Sequence, residues 1–270
     1  MSEIFEYDFF INAILAGILV SLCCALIGSL AMINKLLPMA GGITHGAFGG
    51  IGIAFYFSLN VFLCTSLFTI FLAFVLSFLS QKFPNRNDNF TAVIWTFGMA
   101  LGLVLIDLSP SYQNDLFVYL FGSILTVSND SLIRLLFANL FFLFIIFAFY
   151  RQFIAISFDK EFASLRGINT SFFYYLLICM MALCIVLCMQ TVGLILILAL
   201  LSIPCFIAEK FTKSLASMMF FSFILSMFFC IFGIFLSYFL NLSGSASIVA
   251  LACLAFVISI FIKPFAKQGA

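Results

Sequence analysis

Apolar positions in this chain come as long runs separated by short polar breaks. The runs lie at residues 9–33, 40–58, 61–79, 90–108, 131–150, 172–190, 193–208, 215–240 and 246–263. A helix of about 20 apolar residues spans the hydrocarbon core of a bilayer, so the pattern predicts nine spans. The seventh run is short and ends near Pro204, where proline breaks or kinks a helix. A re-entrant seventh segment would leave eight spans. Residues 109–131 offer only about a dozen apolar positions, too few to cross, and are expected to lie on or dip into one face as an outer half-helix. The interval 151–170 is the longest charged stretch in the interior of the chain. There Ser157 or Asp159 can cap a short helix carrying Lys160, Glu161 and Arg166, with Gly167 ending it. Such a helix between two spans can dock on a partner, and it can equally be an ordinary interhelical loop.

Composition puts the periodicity in a membrane. The 270 residues are 66% hydrophobic and only 8% charged, against about 25% charged in soluble domains. The fold class is therefore an all-α polytopic membrane bundle, read as one membrane domain over residues 1–270 in a lipid bilayer. Glu3, Glu6 and Asp8 precede the first run and no basic residue does, so that run reads as a span and not as a cleaved leader. A net charge of +1 gives no basic surface for nucleic acid. Short cytoplasmic loops carry an excess of Lys and Arg. With nine spans and the N-terminus outside, Lys35, Lys82, Arg86, Arg151, Lys160, Arg166, Lys210, Lys213, Lys263 and Lys267 all fall inside, leaving only Arg134 near the outer side. The expected topology is N-terminus outside and C-terminus inside.

Candidate chemistry is sparse. His45 is the only histidine, and it sits in the glycine-richest window of the chain. Gly42, Gly46 and Gly50 recur at four-residue intervals, a doubled G-x-x-x-G that lets neighbouring backbones come close, with Gly49 one turn beyond His45. An imidazole facing hydrocarbon would be costly, so His45 is expected either to line a pathway or to hydrogen-bond a carbonyl across a tight helix crossing. The nine cysteines form no C-x-x-C pair and read as small buried hydrophobes. Residues 179–190 are nevertheless dense in sulfur, with Cys184 and Cys188 one turn apart. Soft ligands of that kind suit a soft cation, although no charged group accompanies them. The sequence has no phosphate loop, no H-E-x-x-H, no G-x-S-x-G and no series of buried carboxylates, so neither an enzyme nor a self-energised pump is indicated.

Four stretches together resemble the permease subunits of bacterial ABC importers for divalent metals, the zinc/manganese/iron group. A-G-G-I-T-H-G at 40–46 is similar to the family's G-D-A-L-S-H-A element, and 120–128 to its L-F-G-S-[I/L]-L-x-V-S pattern. Residues 158–168 match its coupling element F-D-x-E-x-A-x-x-x-G-[I/V] through Asp159, Glu161, Ala163 and Gly167. A glutamine-to-proline run is matched over 190–208 through Gln190, Gly193 and Pro204. The resemblance implies a homodimeric permease in the bacterial cytoplasmic (inner) membrane, each copy resting on an ATP-binding cassette ATPase through the coupling helix and receiving metal from an extracytoplasmic binding protein. It implies no tightly bound cofactor, ATP used by the partner subunit, and a transported divalent metal, zinc first and then manganese or iron, with His45 as the metal residue. The family usually has an aspartate four residues before that histidine, where the two side chains could share one cation; here the position is Gly41. The competing reading is a self-sufficient secondary transporter or channel for a small cation, which would need intramembrane carboxylates or repeat symmetry.

Overall fold

Without water in the bilayer core, backbone amides and carbonyls must bond within the chain, and a helix does this inside each segment. The computed structural model describes residues 8–109, 122, 124 and 127–262, and among these the regular elements are helical. They are α1 (Asp8–Ile33), α2 (Leu37–Gly46), α3 (Phe48–Tyr56), α4 (Val61–Lys82), α5 (Asn87–Asp107), α6 (Asn129–Ala148), α7 (Tyr150–Phe158), α8 (Lys160–Leu165), α9 (Thr170–Val192), α10 (Leu194–Phe211), α11 (Leu215–Leu240) and α12 (Gly244–Phe261). Eight helices among the described residues are long and apolar enough to cross a membrane. The second apolar run is the exception, interrupted between α2 and α3. Ala47 there keeps right-handed helical angles (φ −57°, ψ −21°), so the interruption is one residue and not a turn.

Contacts between helix ends define two rims. At one, Asn12 donates to Asn129 at 2.9 Å, Ser109 to the Phe55 carbonyl at 3.3 Å and Ser245 to the Val192 carbonyl at 3.0 Å. At the other, Asn34 donates to Ser157 at 2.8 Å, Lys210 to the Ser259 carbonyl at 3.2 Å and the Ala216 amide to Tyr150 Oη at 3.1 Å. Followed through these contacts, the chain passes from rim to rim with each of the eight long helices and once more through α2 and α3. Of the described basic residues, only Arg134 lies at the first rim, over the Phe62 ring at 5.0 Å. The others, Lys35, Lys82, Arg86, Arg151, Lys160, Arg166, Lys210 and Lys213, lie at the ends of helices that reach the second.

Two sequence expectations are corrected here. The seventh run is not re-entrant, and Pro204 does not end it: α10 continues through Pro204 to Phe211. A membrane helix tolerates this because the backbone groups that proline frees can be satisfied locally or by neighbouring helices. Most of the outer half-helix expected at 109–131 lies outside the described residues. Of its positions, Gly122 has φ +59° and abuts the backbone of Val192, and Ile124 is fully buried.

The centre of the bundle is apolar, with α1 packed on α6, α9, α10 and α11. Several of its hydroxyls bond their own helix four residues back, as Thr44 to Ala40 (2.6 Å), Thr69 to Thr65 (2.6 Å) and Ser77 to Ala73 (2.7 Å) do, while Ser21 and Ser29 meet thiols of another helix. Asn139 does both, donating to its own Leu135 carbonyl and across to the Leu19 carbonyl of α1 at 3.0 Å. A tight crossing lies between α2–α3 and α5, and glycines make it from both sides. A Cβ on Gly98 would sit 2.5 Å from the Gly46 Cα, and one on Gly52 would sit 2.6 Å from the Gly102 carbonyl oxygen. The opposite side of the stripe meets α4, where a Cβ on Gly49 would lie 2.5 Å from the Phe68 ring and one on Gly50 2.7 Å from the Thr65 Cα. The stripe read from the sequence therefore serves two neighbours.

Gly98→Ala pushes a methyl into backbone that cannot rotate away, and is expected to cost about 1–3 kcal/mol. Gly41, in the same helix as Gly46, has nothing within 4 Å of its would-be Cβ, so Gly41→Ala should be neutral or stabilising by up to about 1 kcal/mol. Thermal unfolding of both in detergent compares them. Equal stability would mean that the crossing yields without cost.

Candidate functional site

His45 lies eight residues beyond the start of α2, about 12 Å along the helix at 1.5 Å per residue. Its ring stacks on Trp95 of α5, with centroids 4.3 Å apart and planes 5° from parallel. The Trp95 Nε1 donates away from the pair, to Met99 Sδ at 3.0 Å. His45 Nδ1 is buried and has no hydrogen-bond partner among the described residues. The carbonyl bond that a packing histidine would make is thus not formed. What remains is an imidazole held flat by an indole, with a nitrogen lone pair or proton unclaimed. One turn back, Gly41 opens onto empty space on the same helix face, so the carboxylate that the resemblance would place there has room but is absent. An isolated imidazole suits loose, transient contact with a cation; storage would need more donors. Trp95 was missed in the sequence, although it is the only tryptophan and sits three residues before the Gly98–Gly102 pair that makes the crossing.

The charged interval forms a separate site at the second rim. Asp159 caps α8, its carboxylate accepting from the Glu161 and Phe162 amides at 3.0 Å each. Gly167 closes α8 in the left-handed region (φ +77°), and the Ile168 amide returns to the Ala163 carbonyl at 3.1 Å. Asp159, Glu161 and Gly167 are exposed. Ala163 corrects the sequence reading: it is 0% exposed and belongs to the bundle core, so it anchors the segment and cannot be a contact with a partner. The outward apolar side chains are Phe158 (76% exposed), Phe162 and Leu165 (86%). A polar cleft beside them is lined by Asn34, Lys35, Met39, Asn87, Asp88 and Lys160, so the first turn of α2 borders the same cleft as α8.

The glutamine-to-proline run lies at the other end of the bundle and in α10. Gln190 has a buried, unpartnered Nε2 two residues before α9 ends. Gly193 alone joins α9 to α10, at φ +88°. His45, the α8 surface and the Gln190 turn are three places and not one cluster.

The family profile described as ABC-3, the ABC 3 transport family, matches residues 6–263. The chain belongs to the ABC 3 transport family. Among its relatives, an uncharacterized membrane protein of Synechocystis is 40% identical over 260 residues, covering 96% of this chain and 92% of that protein. The manganese transport system membrane protein MntC of Listeria monocytogenes is 29% identical over 269 residues, covering 100% of this chain and 95% of that one. A solved structure, PsaBC from Streptococcus pneumoniae in complex with Fab, superposes with a TM-score of 0.87 at 29% identity, covering 99% of this chain and 96% of that chain. Relatives of this ABC-3 chain that are named for a particular metal, MntC and ScaB among them, are mainly named for manganese, which does not support putting zinc first.

The open space at Gly41 makes a direct test of the histidine's surroundings. Gly41→Asp should fold normally and raise the affinity of the purified protein for manganese by at least about tenfold, roughly 1.4 kcal/mol. The gain should vanish in Gly41→Asp/His45→Ala. Calorimetric titration in detergent measures it, and a gain that survives removal of the imidazole would separate His45 from the metal.

Proposed function

We propose that the chain is the membrane-spanning permease subunit of an ABC importer that moves a divalent metal cation into the bacterial cytoplasm, manganese ahead of zinc and iron. Membership of the ABC 3 transport family supports the class, and the names of the relatives support the metal. The observation that carries a pathway role is the unclaimed Nδ1 of His45, an intramembrane donor with no structural bond to make. His45 and Trp95 lie on a face that the chain itself leaves partly open, Trp95 being 42% exposed. An imidazole beside hydrocarbon is costly, which supports a second copy of the chain closing the path. None of the described buried residues is charged, which supports a motor in a separate ATPase that uses the ATP. Metal would arrive from an extracytoplasmic binding protein at the first rim. The basic second rim supports a cytoplasmic position for α8 and the C-terminus, with Phe158, Phe162 and Leu165 as the face presented to the ATPase.

Uptake in cells tests the His45 role. His45→Ala should abolish or strongly reduce manganese uptake while the protein still accumulates and assembles, and His45→Gln, which hydrogen-bonds but ligates poorly, should fail as well. Rescue by Gln, with less protein in the Ala variant and normal uptake per folded molecule, would return His45 to packing.

The docking face has its own test. Leu165→Asp should leave a folded permease dimer that no longer co-purifies with its ATPase, and a reporter fused after Lys267 should read as cytoplasmic. Retained ATPase would remove α8 as the contact, a monomeric permease would remove the dimer, and an extracytoplasmic reporter would invert the topology.

A further inference from the structure

Three thiols from two helices converge in the dry core, away from His45. Cys23 of α1 and Cys184 and Cys188 of α9 are each 0% exposed, and their sulfurs all lie within 4.8 Å of one another. Cys23 Sγ is 3.3 Å from Cys184 Sγ, across 161 residues of sequence. They make the one group of three or more His, Cys, Asp or Glu side chains with converging ligand atoms among the described residues. Cys24, adjacent in sequence and equally buried, also lies against Cys184 and Cys188, whereas Cys205 and Cys230 contact another helix differently. Cys205 meets the hydroxyls of Ser222 at 3.1 Å and Ser29 at 3.8 Å, and Cys230 meets Ser21 at 3.5 Å. Those are ordinary thiol–hydroxyl packing pairs, whereas the trio offers its sulfurs only to sulfur.

We propose that Cys23, Cys184 and Cys188 form a thiolate site for a d10 dication, zinc or its heavier analogue cadmium, which clips α1 to α9. The sulfur spacing fits. An ion about 2.3 Å from each of three sulfurs holds them roughly 4.0 Å apart, inside the 4.8 Å limit that the trio already meets. The Cys23–Cys184 pair opens by roughly 0.7 Å to accept it, from 3.3 Å. Charge selects the dication. No described buried residue is charged, so a bare thiolate in this core would go uncompensated at high cost. A dication that displaces two thiol protons to water and takes the third sulfur as a neutral thiol leaves the site without net charge. A monovalent ion is balanced by a single thiolate, which leaves two of its three donors as neutral thiols, weak ligands beside a thiolate. Because every sulfur is buried, loading belongs to folding or to another arrangement of the helices, and the ion once held should resist chelators.

The test uses the full chain in a His45→Ala background, so that metal on the transport path cannot be mistaken for this site. The protein is produced in medium containing zinc, or cadmium as a probe, and purified in detergent with EDTA. The expected result is about one ion per chain, with two or three sulfur neighbours at about 2.3 Å for zinc by X-ray absorption. Cys184→Ala and Cys23→Ala should each lower the bound metal at least about tenfold, a loss of roughly 1.4 kcal/mol of binding. Cys253→Ala, at an exposed position, should leave it unchanged. If an alanine variant does not accumulate, Cys188→Ser serves in its place, and the absorption spectrum of the parent protein decides alone. A metal-free parent, an ion ringed by oxygen and nitrogen, sulfur-bound metal that survives loss of Cys23 and Cys184, or retention of copper(I) but not zinc or cadmium would each overturn the site.

Discussion

The bundle turns on how closely two backbones can approach where α2–α3 crosses α5. Gly46 against Gly98 and Gly52 against Gly102 leave no room for even a methyl group. In lipid, helices gain little from excluding water, and close van der Waals packing takes that part. The crossing fixes the rotation of α2 and thereby the side to which His45 and Gly41 point. It also brings Trp95 under the imidazole, since Trp95 sits one turn before Gly98 on α5. The position of the only histidine is thus a by-product of glycine packing.

The two candidate sites are connected by construction. His45 rides on α2, whose first turn lines the cleft shared with Lys160 of α8. Asn34, just before α2, is bonded to Ser157, just before α8. Movement of α8 therefore reaches the base of α2 through one short bond and a common cleft wall, and α2 is too short to absorb much of it before His45.

Much of this was legible in the sequence because hydrocarbon imposes long apolar runs, and those runs set the helices to within a few residues. His45 stood out because polar side chains are rare in such runs. Trp95 did not, because which face of α5 meets α2 depends on the crossing and not on either run alone. Ala163 was misread because a six-residue helix pattern cannot distinguish the bundle side from the water side. Pro204 was misread as an end because the rule that proline ends a helix is drawn from water-exposed helices, whereas in a bundle neighbouring helices help satisfy the backbone groups that proline frees. The meeting of Cys23 with Cys184 was invisible, since nothing local in either run records which helices become neighbours.

Directional bonds between helices gather at the two rims, where Asn12 holds Asn129, Asn34 holds Ser157 and Lys210 holds the Ser259 carbonyl. Between the rims several hydroxyls are committed to their own helix, and the cross-helix bonds include Asn139 to the Leu19 carbonyl and the Ser21–Cys230, Ser29–Cys205 and Ser222–Cys205 pairs. A rod fastened at its ends and only touching at its waist behaves as a lever. It can tilt about the waist, exchanging fastenings at one edge while the other edge holds, with only a few directional bonds in the apolar middle to break, chiefly Asn139 to the Leu19 carbonyl. Resistance to such tilting resides in two thin edges, and one of those edges carries α8.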